Sequence, residues 1–306
     1  MRRSLNSTDR EGNTALHRAA GKGQMKSLRI LLDRGIDIDH RNRKGQTALF
    51  IAALNGQKAA VRTLLKRGAD SRMADNKGIT PLLAALRGNH HELALELADH
   101  PASDRNRYQA LILAIQKRQQ KLALKLLDTK IPLRLMRPDK RGRSLLWLAA
   151  DQGMPALVKR LAAQNPDLVD RPDRSGYTPL ARAIKRGFVT TASLLIDLGA
   201  RLDTVTAEGN SLPILAVLSG KPDMLQRVLA HEPALNIRNN HGDTAIMLAA
   251  SAGNERLVSL LIEAGADLQM RNSANQNAEQ LARKNGHRKV AEMIRARKPA
   301  LLRLFE

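Results

Sequence analysis

The sequence predicts an all-α fold, a solenoid of short helix-turn-helix units stacked one on the next. Three observations predict it. The first is a period: residues suited to the left-handed backbone of a helix end recur at Gly23, Gly56, Asn89, Gly153, Gly187, Gly220, Gly253 and Gly286, mostly in steps of 33 residues with one of 34. The second is that each such residue closes a short apolar run. In Thr244-Ala245-Ile246-Met247-Leu248 the threonine is placed to satisfy free amides at a helix start, and Gly253 ends that helix. The third is length. Isolated helices below about 12 residues are marginal in water, so each unit needs neighbours to bury its apolar face.

The opening returns as Gly12-Asn13-Thr14-Ala15-Leu16-His17, Gly45-Gln46-Thr47-Ala48-Leu49-Phe50, Gly78-Ile79-Thr80-Pro81-Leu82 and Gly176-Tyr177-Thr178-Pro179-Leu180. A period near 33 with such a start resembles the ankyrin repeat. The resemblance covers nearly the whole chain as a single domain, 1–306, of nine repeats near 9–41, 42–74, 75–105, 106–138, 139–172, 173–206, 207–238, 239–271 and 272–306. It implies an ankyrin-repeat solenoid with short β-hairpin tips. It also implies binding through those tips and the exposed end of each first helix, which together line a concave groove.

Taken in order, repeats 1 and 2 close with Arg34-Gly35-Ile36-Asp37 and Arg67-Gly68-Ala69-Asp70, whereas repeat 3 closes with His100-Pro101-Ala102. Repeat 4 departs most. It keeps helical spacing in Ala110, Leu111, Leu113 and Ala114 and again in Leu122, Leu124, Leu126 and Leu127, but Arg118 stands where a glycine is expected. That cap follows the previous one by 29 residues and precedes the next by 35, so the hairpin between repeats 3 and 4 is shortened or absent. The loop around Ile131-Pro132 absorbs the extra residues, and the sequence places the bend or flexibility of the stack there.

Repeat 5 carries Trp147, the only tryptophan, where repeat 1 has His17. Its bulk fits the layer between repeats better than an exposed ligand contact. Repeat 7 shifts its proline by one position in Ser211-Leu212-Pro213. Repeat 9 replaces apolar positions with polar ones around Glu279-Gln280 and Arg283-Lys284, as a terminal cap facing water requires. Two readings stay open for the apolar tail Leu301-Leu302-Arg303-Leu304-Phe305: it folds back on the last repeat, or the natural chain continues past Glu306.

Composition narrows function. With no cysteine there is no disulfide, thiol catalysis or zinc-finger chemistry, and a reducing cytoplasm is the expected compartment. No apolar run is long enough to span a membrane, and none follows the basic start Met1-Arg2-Arg3. No catalytic constellation emerges. His90 and His91 are adjacent and point to different sides of a helix, Gly21-Lys22-Gly23 lacks the rest of a phosphate loop, and no metal-ligand spacing occurs. The expectation is a protein that is not an enzyme by itself and needs no cofactor or metal.

The net charge of +22 is the unusual quantity, and it calls for an acidic partner. Between Arg105 and Arg143 twelve Lys/Arg face two Asp, and between Arg283 and Arg303 eight face one Glu. The resemblance maps basic groove positions onto Arg43, Lys44, Lys77, Arg87, Lys117, Lys140, Arg141, Arg143, Arg174, Lys185 and Arg186, with Arg10, Lys22 and Lys284 at its ends. The acidic groove positions are Glu11, Asp151, Glu208 and Asp243. The patch is densest in repeats 5 and 6, around Tyr177, whose ring is expected to project from a tip as an aromatic anchor. The expected function is therefore a monomeric scaffold for protein–protein interaction, holding an acidic protein partner in a basic groove. Sequence-independent nucleic-acid binding through phosphates is the alternative, and the 2% aromatic content gives few platforms for stacking bases. A third reading makes the chain the ankyrin part of a larger protein whose activity lies elsewhere.

Overall fold

The computed structural model describes residues 5–128 and 137–297. It forms two compact units, Met1–Arg137 and Pro138–Glu306, divided where the repeat spacing breaks. The loop at Ile131-Pro132 and the apolar tail lie outside the described residues.

The first unit holds four helical hairpins: α1 (Ala15–Gly21) with α2 (Met25–Asp33), α3 (Ala48–Leu54) with α4 (Lys58–Lys66), α5 (Pro81–Arg87) with α6 (His91–Leu97), and α7 (Asp104–Gln116) with α8 (Gln120–Leu127). The second holds five: α9 (Leu145–Asp151) with α10 (Pro155–Gln164), α11 (Pro179–Arg186) with α12 (Val189–Asp197), α13 (Leu212–Leu218) with α14 (Pro222–Leu229), α15 (Ala245–Ser251) with α16 (Glu255–Glu263), and α17 (Ala278–Lys284) with α18 (Arg288–Arg297). Within each unit first helices pack on first helices of adjacent repeats, and second on second.

Local chemistry sets each hairpin. Thr47 accepts from the Phe50 amide at 3.2 Å and Thr178 from the Ala181 amide at 3.1 Å, and Ser144 and Asn277 do the same for Trp147 and Gln280. The residue closing each first helix adopts positive φ throughout, including the two that are not glycine, Asn89 at 62° and Arg118 at 57°. The buried faces within each unit are Leu, Ala, Ile and Val, with Leu16, Leu49, Leu86 and Leu111 fully enclosed in the first and Leu146 and Leu157 in the second.

The tips are tight hairpin turns rather than extended strands, and the only β-bridge among the described residues joins Val205 to Ser211. An Asp or Asn at the base of each tip folds it, with Thr206 taking that place in repeat 7: Asp173 Oδ1 accepts from the amides of Ser175 and Tyr177, as Asp75 does from Lys77 and Ile79. One backbone hydrogen bond ties each tip to the next, from Asn76 N to the Lys44 oxygen in the first unit and from Arg174 N to the Arg141 oxygen in the second. Repeat 4 has no such tip. Ser103 caps α7 directly, and the helix runs for 13 residues in place of a hairpin plus a short helix.

Candidate partner-binding surface

In the second unit the tips of repeats 5 and 6 and the helices behind them enclose an open cleft of about 450 Å³. Lys140, Arg141, Arg143, Arg174 and Arg182 line it, with Asp173, Ser175, Trp147 and Tyr177. Trp147 and Tyr177 form its floor and are almost fully buried. The Trp147 indole N–H donates to the Tyr177 carbonyl oxygen at 2.8 Å, and the guanidiniums of Arg143 and Arg182 lie over the indole at 5.5 and 5.3 Å.

Tyr177 therefore does not project as an exposed anchor. Its backbone is folded inward by Asp173, the Arg182 and Lys185 cations cover its ring, and its hydroxyl accepts from Lys185 Nζ at 2.5 Å while donating to Glu208 at 3.3 Å. It supports the cations above it, with 5% of its surface exposed.

The cations divide into held and unheld. Arg143 is bound to Asp139 at 2.6 Å, and Arg182 and Arg186 grip the buried Asp151 at 2.5 and 3.3 Å. Asp151, expected on the groove surface, is instead 8% exposed because the two arginines close over it. Burial pushes the Asp139 carboxyl up, but the Arg143 side chain and the amides of Arg143 and Arg141 outweigh it and hold the group below the ordinary carboxylate range. Lys140, Arg141 and Arg174 are the exposed cations of the cleft without a carboxylate partner among the described residues.

A second cleft, of about 380 Å³, lies in the first unit between repeats 2 and 3. It gathers Arg43, Lys44, Lys77 and Arg87 around Phe50, Leu54, Ile79 and Ala84. Of the remaining expected groove residues, Lys117 is engaged by Asn89 Oδ1 at 2.5 Å, Lys185 by Tyr177 and Arg186 by Asp151. None of the three lines either cleft. Arg182 was not among the expected site residues. It occupies the helical position where Ile51, Ala84, Leu148 and Leu248 are apolar, a signal shared only with Arg18 in repeats 1 to 8.

Among the described residues no group of three or more His, Asp or Glu gathers in the manner of a metal site, and no helix is long and apolar enough to cross a membrane. His90 serves structure, its Nε2 donating to the Leu54 carbonyl oxygen at 3.1 Å.

Comparison with known proteins agrees with this architecture. A family model described as "Ankyrin repeats (3 copies)" matches residues 2–75, 67–135, 133–206 and 214–300. The chain is 28% identical over 151 residues to the ankyrin repeat and KH domain-containing protein mask-1 of Caenorhabditis elegans, covering 49% of this chain and 6% of that protein. It is 28% identical over 164 residues to the mouse B-cell lymphoma 3 protein homolog, 52% of this chain and 36% of the relative. To human Rabankyrin-5 it is 28% identical over 169 residues, 51% of this chain and 14% of the relative. The matches thus span about half of this chain and well under two thirds of each relative. With the family model matching almost end to end and helix-turn-helix repeats in both units, the chain belongs to the ankyrin-repeat family.

Proposed function

We propose that this ankyrin array is a scaffold for protein–protein interaction and that it holds an acidic segment of a protein partner on the tips of repeats 5 and 6. The observation that carries the reading is the set of three unpaired cations, Lys140, Arg141 and Arg174, on one cleft. Elsewhere in the same unit cations are matched across repeats, as Arg227 is with Asp197 at 3.2 Å and Lys289 with Glu255 at 2.6 Å. Cations without counter-charge, presented on turns fixed by Asp139 and Asp173, are preorganised for carboxylates from another chain.

The test is a pull-down from host lysate at about 300 mM salt with nuclease present, comparing wild type with Arg141→Glu/Arg174→Glu. At that ionic strength the screening length falls below about 8 Å, which suppresses diffuse charge attraction. A discrete protein retained by wild type and lost by the variant supports the reading. Binding that nuclease abolishes moves the function to nucleic acid, and equal retention by both proteins removes the cleft from the interface.

A further inference from the structure

The cleft of the first unit differs from that of the second in one respect that charge alone does not describe: its floor is wholly apolar and an exposed leucine stands beside it. Phe50, Ile79 and Ala84 form that floor and are buried, and Leu54 stands at its edge with 36% of its surface exposed. Leu54 is the last residue of α3; repeat 7 has Leu218 at the corresponding position, 48% exposed, whereas repeats 1, 3, 4, 5, 6, 8 and 9 have Gly21, Arg87, Gln116, Asp151, Lys185, Ser251 and Lys284. An apolar residue is thus placed where those repeats put small or polar ones. Its exposure does not come from a frayed helix end, since His90 holds the Leu54 carbonyl from the next repeat.

Around this floor stand Arg43, Lys44, Lys77 and Arg87, all exposed, and none is ion-paired among the described residues. The same unit pairs cations readily along its second helices. Arg62 binds Glu96 at 2.6 Å, Lys58 binds Glu96 at 3.0 Å, Arg67 binds Asp33 at 2.8 Å and Lys125 binds Asp99 at 2.6 Å. Asp75, the carboxylate in the cleft wall, is occupied by the amides of Lys77 and Ile79. Four unmatched cations ringing an apolar patch complement a ligand of the inverse pattern.

We infer that this cleft is a second docking site, for a protein segment in which a large apolar side chain is flanked by acidic residues. The apolar side chain seats against Leu54, over the buried floor of Phe50, Ile79 and Ala84, and its flanking carboxylates meet Lys44 and Lys77 on the tips and Arg43 and Arg87 beside them. The inference rests on the scaffold reading above but concerns a different unit and a different specificity. Where repeats 5 and 6 read charge, repeats 2 and 3 read charge together with an apolar residue.

The test is a displayed library of random peptides panned on the full chain at about 300 mM salt, with binding of enriched peptides measured by fluorescence anisotropy. The variants are Leu54→Asn, a polar residue of the kind neighbouring repeats carry there, and Lys44→Glu/Lys77→Glu, both checked for unchanged thermal unfolding. The expected result is a consensus with one large apolar residue between acids. Leu54→Asn weakens its binding about tenfold or more, the loss of a buried leucine contact, and a peptide with serine at the apolar position is weakened alike on wild type. Lys44→Glu/Lys77→Glu abolishes it. A consensus of acids alone, unaffected by Leu54→Asn and lost in Arg141→Glu/Arg174→Glu, overturns this inference and leaves the scaffold reading standing. No peptide that any of these variants weakens overturns both.

Discussion

Trp147 and Tyr177 come from adjacent repeats, and a single hydrogen bond from the indole N–H to the Tyr177 carbonyl oxygen, 2.8 Å long, locks one to the other. In repeat 1 His17 occupies the same place, and its Nε2 donates to the Gln46 carbonyl oxygen at 2.9 Å. Two unrelated ring systems thus perform one task, satisfying the last tip carbonyl of the next repeat. Trp147→Phe keeps an aromatic ring of smaller bulk but removes one of the two hydrogen bonds that carbonyl accepts, the other coming from the Asp173 amide at 3.0 Å, with an expected loss of about 0.5–1.5 kcal/mol in urea unfolding from the bond alone. Trp147→His retains the donor and trades the loss for a packing defect, so rescue of the unfolding cooperativity by histidine and not by phenylalanine identifies the hydrogen bond.

His17 gives the first unit a pH dependence. Burial disfavours the charged imidazole, and with it the neighbouring His40 ring at 5.9 Å, so the folded pKa lies below the ordinary 6.5 despite the bond to Gln46. As pH falls through about 6.5 the unfolded chain takes up this proton first. The contribution is complete above that pH and declines below it until the folded site itself is protonated. Urea midpoints measured from pH 8 to 5 are expected to fall on the acid side, and less steeply in His17→Gln.

Gly253 carries two constraints at once. Its φ is 68°, and a Cβ there meets the His287 ring at 2.4 Å. Gly265 has φ 85° and open space. Gly265→Ala is expected to cost the backbone term alone, about 1–2 kcal/mol, and Gly253→Ala more. If Gly253→Ala combined with His287→Ala costs no more than Gly265→Ala, the excess is the close approach to the ring.

Asp151 neutralises Arg182 and Arg186 beside the cleft of repeats 5 and 6. Asp151→Asn leaves both guanidiniums without their counter-charge. Because the arginines are 25% and 46% exposed, the expected loss of stability is about 1–2 kcal/mol rather than the larger cost of a fully buried pair. The same change makes the cleft more positive, so binding of polyglutamate strengthens and its salt dependence steepens. Stability and affinity moving in opposite directions is the diagnostic result.

The repeat architecture was legible because a backbone requirement recurs in phase. Even Arg118, which lacks the residue type the pattern asks for, adopts the conformation its place in the period demands. Missing turn residues before repeat 4 likewise announced the absent tip, but not the long helix α7 that stands in its place. The basic character of both clefts was legible from the tip positions of Arg43, Lys44, Lys77, Lys140, Arg141 and Arg174. What escaped was which cations are already spoken for. The Arg143–Asp139 pair is visible at a spacing of four, but Tyr177 is covered by Lys185 from the helix of its own repeat and reaches Glu208 in the next, a contact that only the stacked structure brings together. Position along the period tells where a side chain starts, and neighbours one repeat away decide where it ends.

Successive tips in each unit are joined by one backbone hydrogen bond, such as Asn76 N to the Lys44 oxygen and Arg174 N to the Arg141 oxygen. That bond itself uses no side chain, Asn76 and Asn240 adding a second link through Nδ2 to the Arg43 and Ala207 oxygens, and the turn is shaped by the Asp, Asn or Thr at its base. The other residues presented outward, such as Lys77 and Arg141, are consequently free to vary without disturbing the frame that spaces them. Selection is thereby given a row of independently rewritable letters on a fixed line, and a change of partner needs new words there but no new fold.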